Sequence, residues 1–242
     1  MKYIVFSDIH SNWEALEAFR KLIGGISHDK LIFLGDSVGY GTDPNPVVDW
    51  LRDNVDLFLS GNHDYAAVGK ISTLNFNPYA HKSTMWTRNR LSEENKQFLT
   101  DQPCIQREGD VCWAHSSPHE PEKWHYLTSV EDGPDNFASF TQSLCFVGHT
   151  HRPLTLEQDA EGNVSALQDN PFTLKPDCRY IISVGSLGQP RDGNPEPAFV
   201  VYDSDLRTVQ LHRFCYEMET TQQKISESDL PVYFAERLVY GM

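Results

Sequence analysis

The sequence predicts an α/β fold in a single domain, and three observations carry that prediction. Short, continuously apolar runs alternate in the first part of the chain with stretches whose apolar residues recur at helical spacing. Several of those runs stop abruptly on aspartate, asparagine or histidine, where burial would otherwise have continued. The chain has 242 residues, 39% of them apolar, which is enough for one large core.

Tyr3–Ser7 is the first apolar run and reads as a strand buried on both faces. It ends on Asp8-Ile9-His10. Residues two apart on extended backbone point the same way, so Asp8 and His10 are expected to converge on one ion while Ile9 faces the core. Ser11-Asn12-Trp13-Glu14 has capping-box spacing, and Trp13, Leu16, Phe19, Leu22 and Ile23 mark the apolar face of a helix ending near residue 23. The unit then repeats. Leu31–Leu34 runs as a strand into Gly35-Asp36, and Asn45-Pro46 is expected to open a helix with Val47, Val48 and Leu51 on its apolar side. A third strand, Asp56–Leu59, delivers Gly61-Asn62-His63-Asp64 as a turn. Two helices are expected from Asn77-Pro78 to about Leu99, with Ser92 capping the second.

Beyond Pro103 the pattern becomes strand-rich. Asp110–Ala114 ends on His115, and Leu144–Val147 ends on Gly148-His149-Thr150-His151. Leu154–Glu157, Tyr180–Val184, Ala198–Tyr202 and Val209–Phe214 suit further strands. Lid elements are expected near residues 70–100 and 116–140, the latter including the polar stretch from His119 to Asn136. Residues 217–242 read as a helical tail interrupted at Pro231.

Five dispersed cysteines without C-x-x-C spacing read as reduced thiols. A formal charge of -14 argues against an extended nucleic-acid surface, which needs lysine and arginine to neutralise phosphates. No apolar run approaches the roughly 18 residues that a membrane span requires. Met1-Lys2 passes into a strand that meets Asp8 too soon for a signal peptide, so the expected location is cytoplasmic, with no membrane partner. No pattern speaks to the oligomeric state.

Five polar clusters thus stand at the carboxyl ends of five expected strands: Asp8/His10, Asp36, Asn62/His63, His115 and His149/His151. Ligands of open α/β sheets bind outside those ends. One histidine after a strand is more often a hydrogen-bonded structural residue than a ligand. Five such coincidences in one chain describe a site.

The ordered set Asp8-x-His10, Gly35-Asp36, Gly61-Asn62-His63-Asp64, His115 and Gly148-His149-Thr150-His151 resembles the calcineurin-like metallophosphoesterase superfamily. With Val184-Gly-Ser-Leu-Gly-Gln-Pro-Arg191 it looks most like the small bacterial and archaeal phosphodiesterase-type members, over roughly residues 3 to 215. The resemblance implies a four-layer αββα sandwich of two mixed β-sheets flanked by helices. It also implies two metal ions, of Mn, Fe, Zn or Ni, whose preferences suit carboxylate and imidazole ligands. Asp8, His10, Asp36 and His151 would hold one ion, and Asp36, Asn62, His115 and His149 the other. The implied activity is that of a metal-dependent phosphohydrolase, first of all a phosphodiesterase, in which a hydroxide bridging the ions attacks phosphorus in line. His63 would then be the general acid, Asp64 its orienting partner, and Asn62 and Arg191 contacts to a small phosphorylated substrate.

Departures from the family pattern bear on the substrate. The serine/threonine phosphatases and symmetrical diadenosine tetraphosphatases of the superfamily carry Asp-Arg-Gly after Gly-Asp and an arginine before Gly-Asn-His. Here those places read Gly39-Tyr40-Gly41 and Ser60. A phosphoprotein phosphatase or dinucleoside polyphosphate hydrolase therefore stands as the alternative reading, and a non-catalytic metal-binding scaffold as a third. Ser116 follows His115 where the superfamily commonly has glycine. Tyr40 and Asn77 are candidates for the leaving-group pocket and His119, Trp124 and His125 for a lid, although the favoured reading of the last three is exposed loop residues with a tryptophan packed beneath.

Overall fold

In the computed structural model, which describes residues 1–74 and 76–242, strand β1 (Lys2–Phe6) sends alternate side chains into two different cores. Ile4 and Phe6 meet helices, whereas Val5 meets a second sheet. That is why the run is apolar throughout rather than alternating.

The first sheet places β1 beside β2 (Lys30–Phe33) and β2 beside β3 (Leu57–Phe58), all parallel. On the other side of β1 follow β11 (Ala198–Asp203), β12 (Thr208–Arg213) and the short β9 (Phe172–Thr173), all antiparallel. The second sheet has the order β4-β5-β6-β10-β7-β8, formed by Ile105–Glu108, Val111–Ala114, Leu144–Val147, Arg179–Val184, Pro153–Gln158 and Val164–Leu167. Its β5, β6 and β10 are parallel and the flanking pairs antiparallel. Both sheets are mixed.

Helices α1 (Trp13–Ile23) and α2 (Pro44–Asn54) cover the outer face of the first sheet through Leu16, Phe19, Val47 and Leu51. Val5, Ile32 and Leu59 pack against Trp113, Phe146 and Ile182 between the sheets. The outer face of the second sheet is closed by Leu127, Phe137 and Phe140, with α6 at Gly133–Phe137. The expected four-layer sandwich is formed. Residues 116–140 therefore serve in large part as the wall of a core, because their apolar side chains cover Cys112, Cys145 and Ile181.

Several local expectations are corrected. Asn12, not Ser11, caps α1, its Oδ1 accepting from Ala15 N at 3.1 Å. Helix α2 begins at Pro44, ahead of Asn45-Pro46, because both prolines fit the first turn, where no N–H partner is needed. Asn62–Val68 forms α3, so Gly61-Asn62-His63-Asp64 is a helix N-terminus and not a free turn. Helices α4 (Pro78–Arg88) and α5 (Glu93–Asp101) follow, with Asn77 and Ser92 as their caps. β4, β8 and β9 lie at or near sheet edges with half-exposed polar positions, and so carry no apolar run to announce them.

The tail forms α7 (Met218–Ser226), α8 (Tyr233–Glu236) and a 3-10 turn at Arg237–Tyr240. Lys224 pins α7 to Glu14 at 2.5 Å and to Asp43 at 3.0 Å, while Phe234 is buried against Tyr40. Among the described residues no helix is long and apolar enough to cross a membrane.

Candidate metal centre

β1, β2 and β3 run parallel in one sheet and β5 and β6 in the other, so the loops leaving their carboxyl ends meet at one edge of the sandwich. The 8–12 loop extends the strand pairing beyond β1: Asp8 N donates to Gly35 O at 2.9 Å, His10 N to Asp36 O at 3.1 Å and Ser11 N to Ser37 O at 2.9 Å. Gly188 crosses so close that a Cβ there would lie 1.7 Å from Ile9 O. Only glycine fits at that crossing.

Asp8, His10, Asp36, His149 and His151 all adopt positive φ, between 51° and 65°. Asp8 and His10 thus converge through left-handed backbone, and the expected extended-strand alternation is not the cause. Side chains avoid this region except at turns and strained functional sites. The strain is held by loops packed on both sides.

Asp8, His10, Asp36 and His151 offer ligand atoms that all lie within 4.8 Å of one another, and so do Asp36, His115 and His149. Asp36 belongs to both groups. Its Oδ1 accepts from His63 N at 2.8 Å, leaving Oδ2 3.4 Å from His115 Nε2 and 3.7 Å from His10 Nε2. Asp8 Oδ2 accepts from His149 N at 2.9 Å, and Asp8 Oδ1 is free.

The ring tautomers follow from their outer partners. The Nδ1 atoms of His10, His115 and His151 face the carbonyls of Val38, Leu34 and Gln189 at 2.9, 2.9 and 2.6 Å. A carbonyl only accepts, so each Nδ1 carries a proton, and each Nε2 presents a lone pair inward when its ring is neutral. His149 is the reverse: Nε2 donates to Trp124 O at 3.0 Å, so Nδ1 is its inward atom. Asp8 Oδ1, Asn62 Oδ1 and His115 Nε2 are buried without a hydrogen-bond partner among the described residues. Buried acceptors left unpaired are costly. Convergent acceptors with no donor fit cations, and oxygen with imidazole nitrogen is a donor set suited to Mn, Fe, Zn or Ni.

Without a cation the charges are strained. Burial would lower the pKa of His115, but Asp36, Asp8 and Asp64 overcome it and push it up to about 9. Burial pulls His149 down to about 3 and holds His10 and His151 well below the usual imidazole range.

His63 lies at the rim, its ring 5.0 Å from His10, 4.6 Å from Tyr40 and 5.4 Å from Phe76. The expected Asp64–His63 pairing does not form. Both Asp64 oxygens are taken by Asp36 N, Ser37 N, Ser37 Oγ, Val38 N and Gly61 N at 2.6–3.2 Å. As the third residue of α3, Asp64 points back towards the helix start, away from the His63 ring. Its role is to clamp the loop that carries Asp36. Burial and the Asp36 charge push its carboxyl up to about 6.

Arg191 is delivered to the rim, its N donating to His151 O at 3.1 Å and its guanidinium lying 5.7 Å from the Tyr40 ring centre. The Tyr40 ring lies 4.8 Å from His10 and 4.6 Å from His63. Asn77 instead caps α4, and His119 and His125 flank Glu120 on the surface. Trp124 contributes its carbonyl rather than its ring alone. Ser116 Oγ donates to Pro121 O at 3.1 Å, so the residue is absorbed locally. Tyr126, which stacks on His149 at 4.4 Å, was not expected, since an isolated exposed tyrosine has no sequence signal.

A four-layer sandwich with a buried aspartate-histidine cluster at the carboxyl edge of its parallel strands is the architecture of a metallophosphoesterase. The chain belongs to the calcineurin-like phosphoesterase superfamily, whose domain model matches residues 1–206. It is 37% identical over 241 residues to an uncharacterized protein of Methanocaldococcus jannaschii, covering 98% of this chain and 97% of that one. The crystal structure of a metallophosphoesterase from Sphaerobacter thermophilus is 35% identical, with a TM-score of 0.88 over 100% of this chain and 99% of that one. A hypothetical protein from Pyrococcus horikoshii, 17% identical, shares the fold with a TM-score of 0.81 over 100% and 98% of the two chains.

Proposed function

We propose that the protein is a metal-dependent phosphodiesterase acting on a small phosphorylated molecule from two adjoining metal sites. The observation that carries this reading is the sharing of Asp36 between two buried ligand groups whose inward atoms are all acceptors. Asp8, His10, Asp36 and His151 would hold one ion, and Asp36, Asn62, His115 and His149 the other. Bound there, the ions would supply Lewis acidity, acidifying water and offsetting negative charge at phosphorus.

The protein's own residues do the rest. His63 Nδ1 is enclosed against Gly39 without a partner, leaving Nε2 as the nitrogen able to reach a leaving oxygen. Burial holds its pKa below the ordinary value while Asp36 raises it, and an anionic phosphate set beside the ring would raise it further. On substrate binding His63 would thus take up from solvent the proton that the leaving alkoxide needs. Arg191 faces the same rim and supplies a positive contact to phosphate oxygen. A diester rather than a phosphoprotein or dinucleoside polyphosphate is favoured by Tyr40 and Ser60, which are buried where two phosphate-clamping arginines would stand. Ser60 Oγ is committed to Leu99 O at 2.9 Å.

The test is hydrolysis of bis-p-nitrophenyl phosphate against p-nitrophenyl phosphate by metal-stripped protein reloaded with Mn²⁺, Fe²⁺, Zn²⁺ or Ni²⁺, with Asp36→Ala alongside. Metal-dependent turnover of the diester, abolished in the variant, is expected. No turnover with both sites filled would favour the scaffold reading.

A further inference from the structure

The segment from Trp124 to Tyr126 covers one of the two ligand groups. Trp124 O accepts from His149 Nε2 at 3.0 Å, the Trp124 ring stands edge-on to His115 at 6.0 Å, and Tyr126 stacks on His149 at 4.4 Å with the ring planes 19° apart. Trp124 holds left-handed backbone, and Leu127 on the other side of Tyr126 is buried in the outer core of the second sheet. Tyr126 is thus fixed from both directions, yet it remains 56% exposed. An isolated exposed tyrosine needs no explanation. One seated on an imidazole of the ligand cluster does. Stacking occupies one ring face, so the exposure belongs to the other face and the ring edge. The inward lone pair of His149 Nδ1 lies in the imidazole plane, so a group held there sits beside the Tyr126 ring and not beneath it. A substituent leaving that group towards solvent passes the tyrosine edge and meets the open face.

We infer that Tyr126 is a stacking platform for a planar base carried one sugar away from the phosphoryl group, which makes the substrate a nucleotide or a nucleotide ester. The inference rests on the phosphohydrolase reading and narrows its substrate class. An aryl ring joined directly to a phosphate oxygen is held level with the tyrosine edge, whereas a base beyond a ribose reaches the outer face. A nucleotide therefore fits better than a phosphorylated phenol. Base–aromatic stacking tolerates every base, because each has a π-face, so Tyr126 selects nucleotides over sugar phosphates without reading the base. With 34 acidic side chains against 20 basic ones, the chain lacks the positive surface that a polynucleotide backbone requires, which restricts the ligand to a small nucleotide.

Calorimetric titration of the Zn²⁺-loaded full chain with adenosine 5′-monophosphate, ribose 5-phosphate and phenyl phosphate tests this without turnover, since a diesterase does not consume monoesters. The nucleotide is expected to bind about tenfold more tightly than either of the others, the worth of one stacked base. Tyr126→Leu should bring the three affinities to parity, and Tyr126→Trp should keep the preference. Loss of metal in a variant weakens all three ligands alike and leaves their ratio readable. Parity in the unaltered protein, a preference that survives Tyr126→Leu, or phenyl phosphate binding as tightly as the nucleotide would overturn the platform. If Tyr126→Leu does not fold, nuclear Overhauser contacts between the adenine protons and the Tyr126 ring in the unaltered protein decide the matter, and their absence overturns it. Should the preference hold in a protein that hydrolyses no diester, the platform stands and the catalytic reading fails; parity in an active diesterase strikes the platform alone.

Discussion

His10 Nε2 and His151 Nε2 face each other at 3.0 Å, each ring having committed its Nδ1 proton to a carbonyl. Two lone pairs at that distance repel unless a cation or a proton lies between them. Chelation should therefore lower the melting temperature, and a divalent ion at a hundredfold its Kd should restore about 2.7 kcal/mol of stability. Scanning calorimetry with and without EDTA checks this. A melting curve indifferent to a demonstrably bound ion would refute it.

His63 and Asp64 are neighbours with separable tasks. His63→Ala should keep metal content and stability while losing at least tenfold of kcat on an alkyl ester, since general acid catalysis contributes about 10²–10⁴-fold. Asp64→Ala leaves four backbone N–H groups and the Ser37 hydroxyl without their acceptor. It should cost about 3 kcal/mol or more and weaken metal binding roughly 10–100-fold. Denaturant unfolding and metal analysis of the two variants should separate; matching profiles would contradict these roles.

Gly61 touches the shared carboxylate. A Cβ at that position would lie 2.1 Å from Asp36 Oδ1 and 2.6 Å from His115 Cε1. Gly61→Ala should therefore displace a residue of each ligand group, reducing bound metal and activity by about 10²-fold, as expected of a misplacement near 1 Å. Gly25→Ala, which meets only Leu22 O at 3.5 Å, is the matched control. Metal content settles the comparison.

Lys224 anchors the tail. Burial would lower its pKa, but Glu14 and Asp43 raise it above the ordinary 10.5. A folded-state value above the unfolded one contributes stability that is complete below the unfolded pKa and disappears as pH rises through the folded pKa. Lys224→Ala should cost about 1–2 kcal/mol near neutrality, because the pair is partly exposed, and less above pH 10.5. Urea unfolding across pH measures the gap, which a pH-independent difference would deny.

The strand ends are legible in the sequence alone. Asp8, Asp36, His115 and His149 each interrupt an apolar run, and a polar group at the end of a buried strand must have a partner. The two sheets were less so, since β4 and β8 are short edge strands whose polar residues mask the period. Asp64 misled because adjacency along the chain is not adjacency in a helix. Its carboxylate turns back along α3 to the 36–38 loop and leaves His63 behind.

What the sequence by itself determined is the chemistry: which residues could ligate, in what order, and that each would stand outside a strand. Only the tertiary structure decided how they meet. The left-handed backbone at Asp8 and His10 and the carbonyls of Leu34, Val38, Trp124 and Gln189 that set the imidazole tautomers all depend on loops distant in the chain. Main-chain carbonyls are the same at every residue. They acquire meaning only when folding sets one of them 3 Å from a ring.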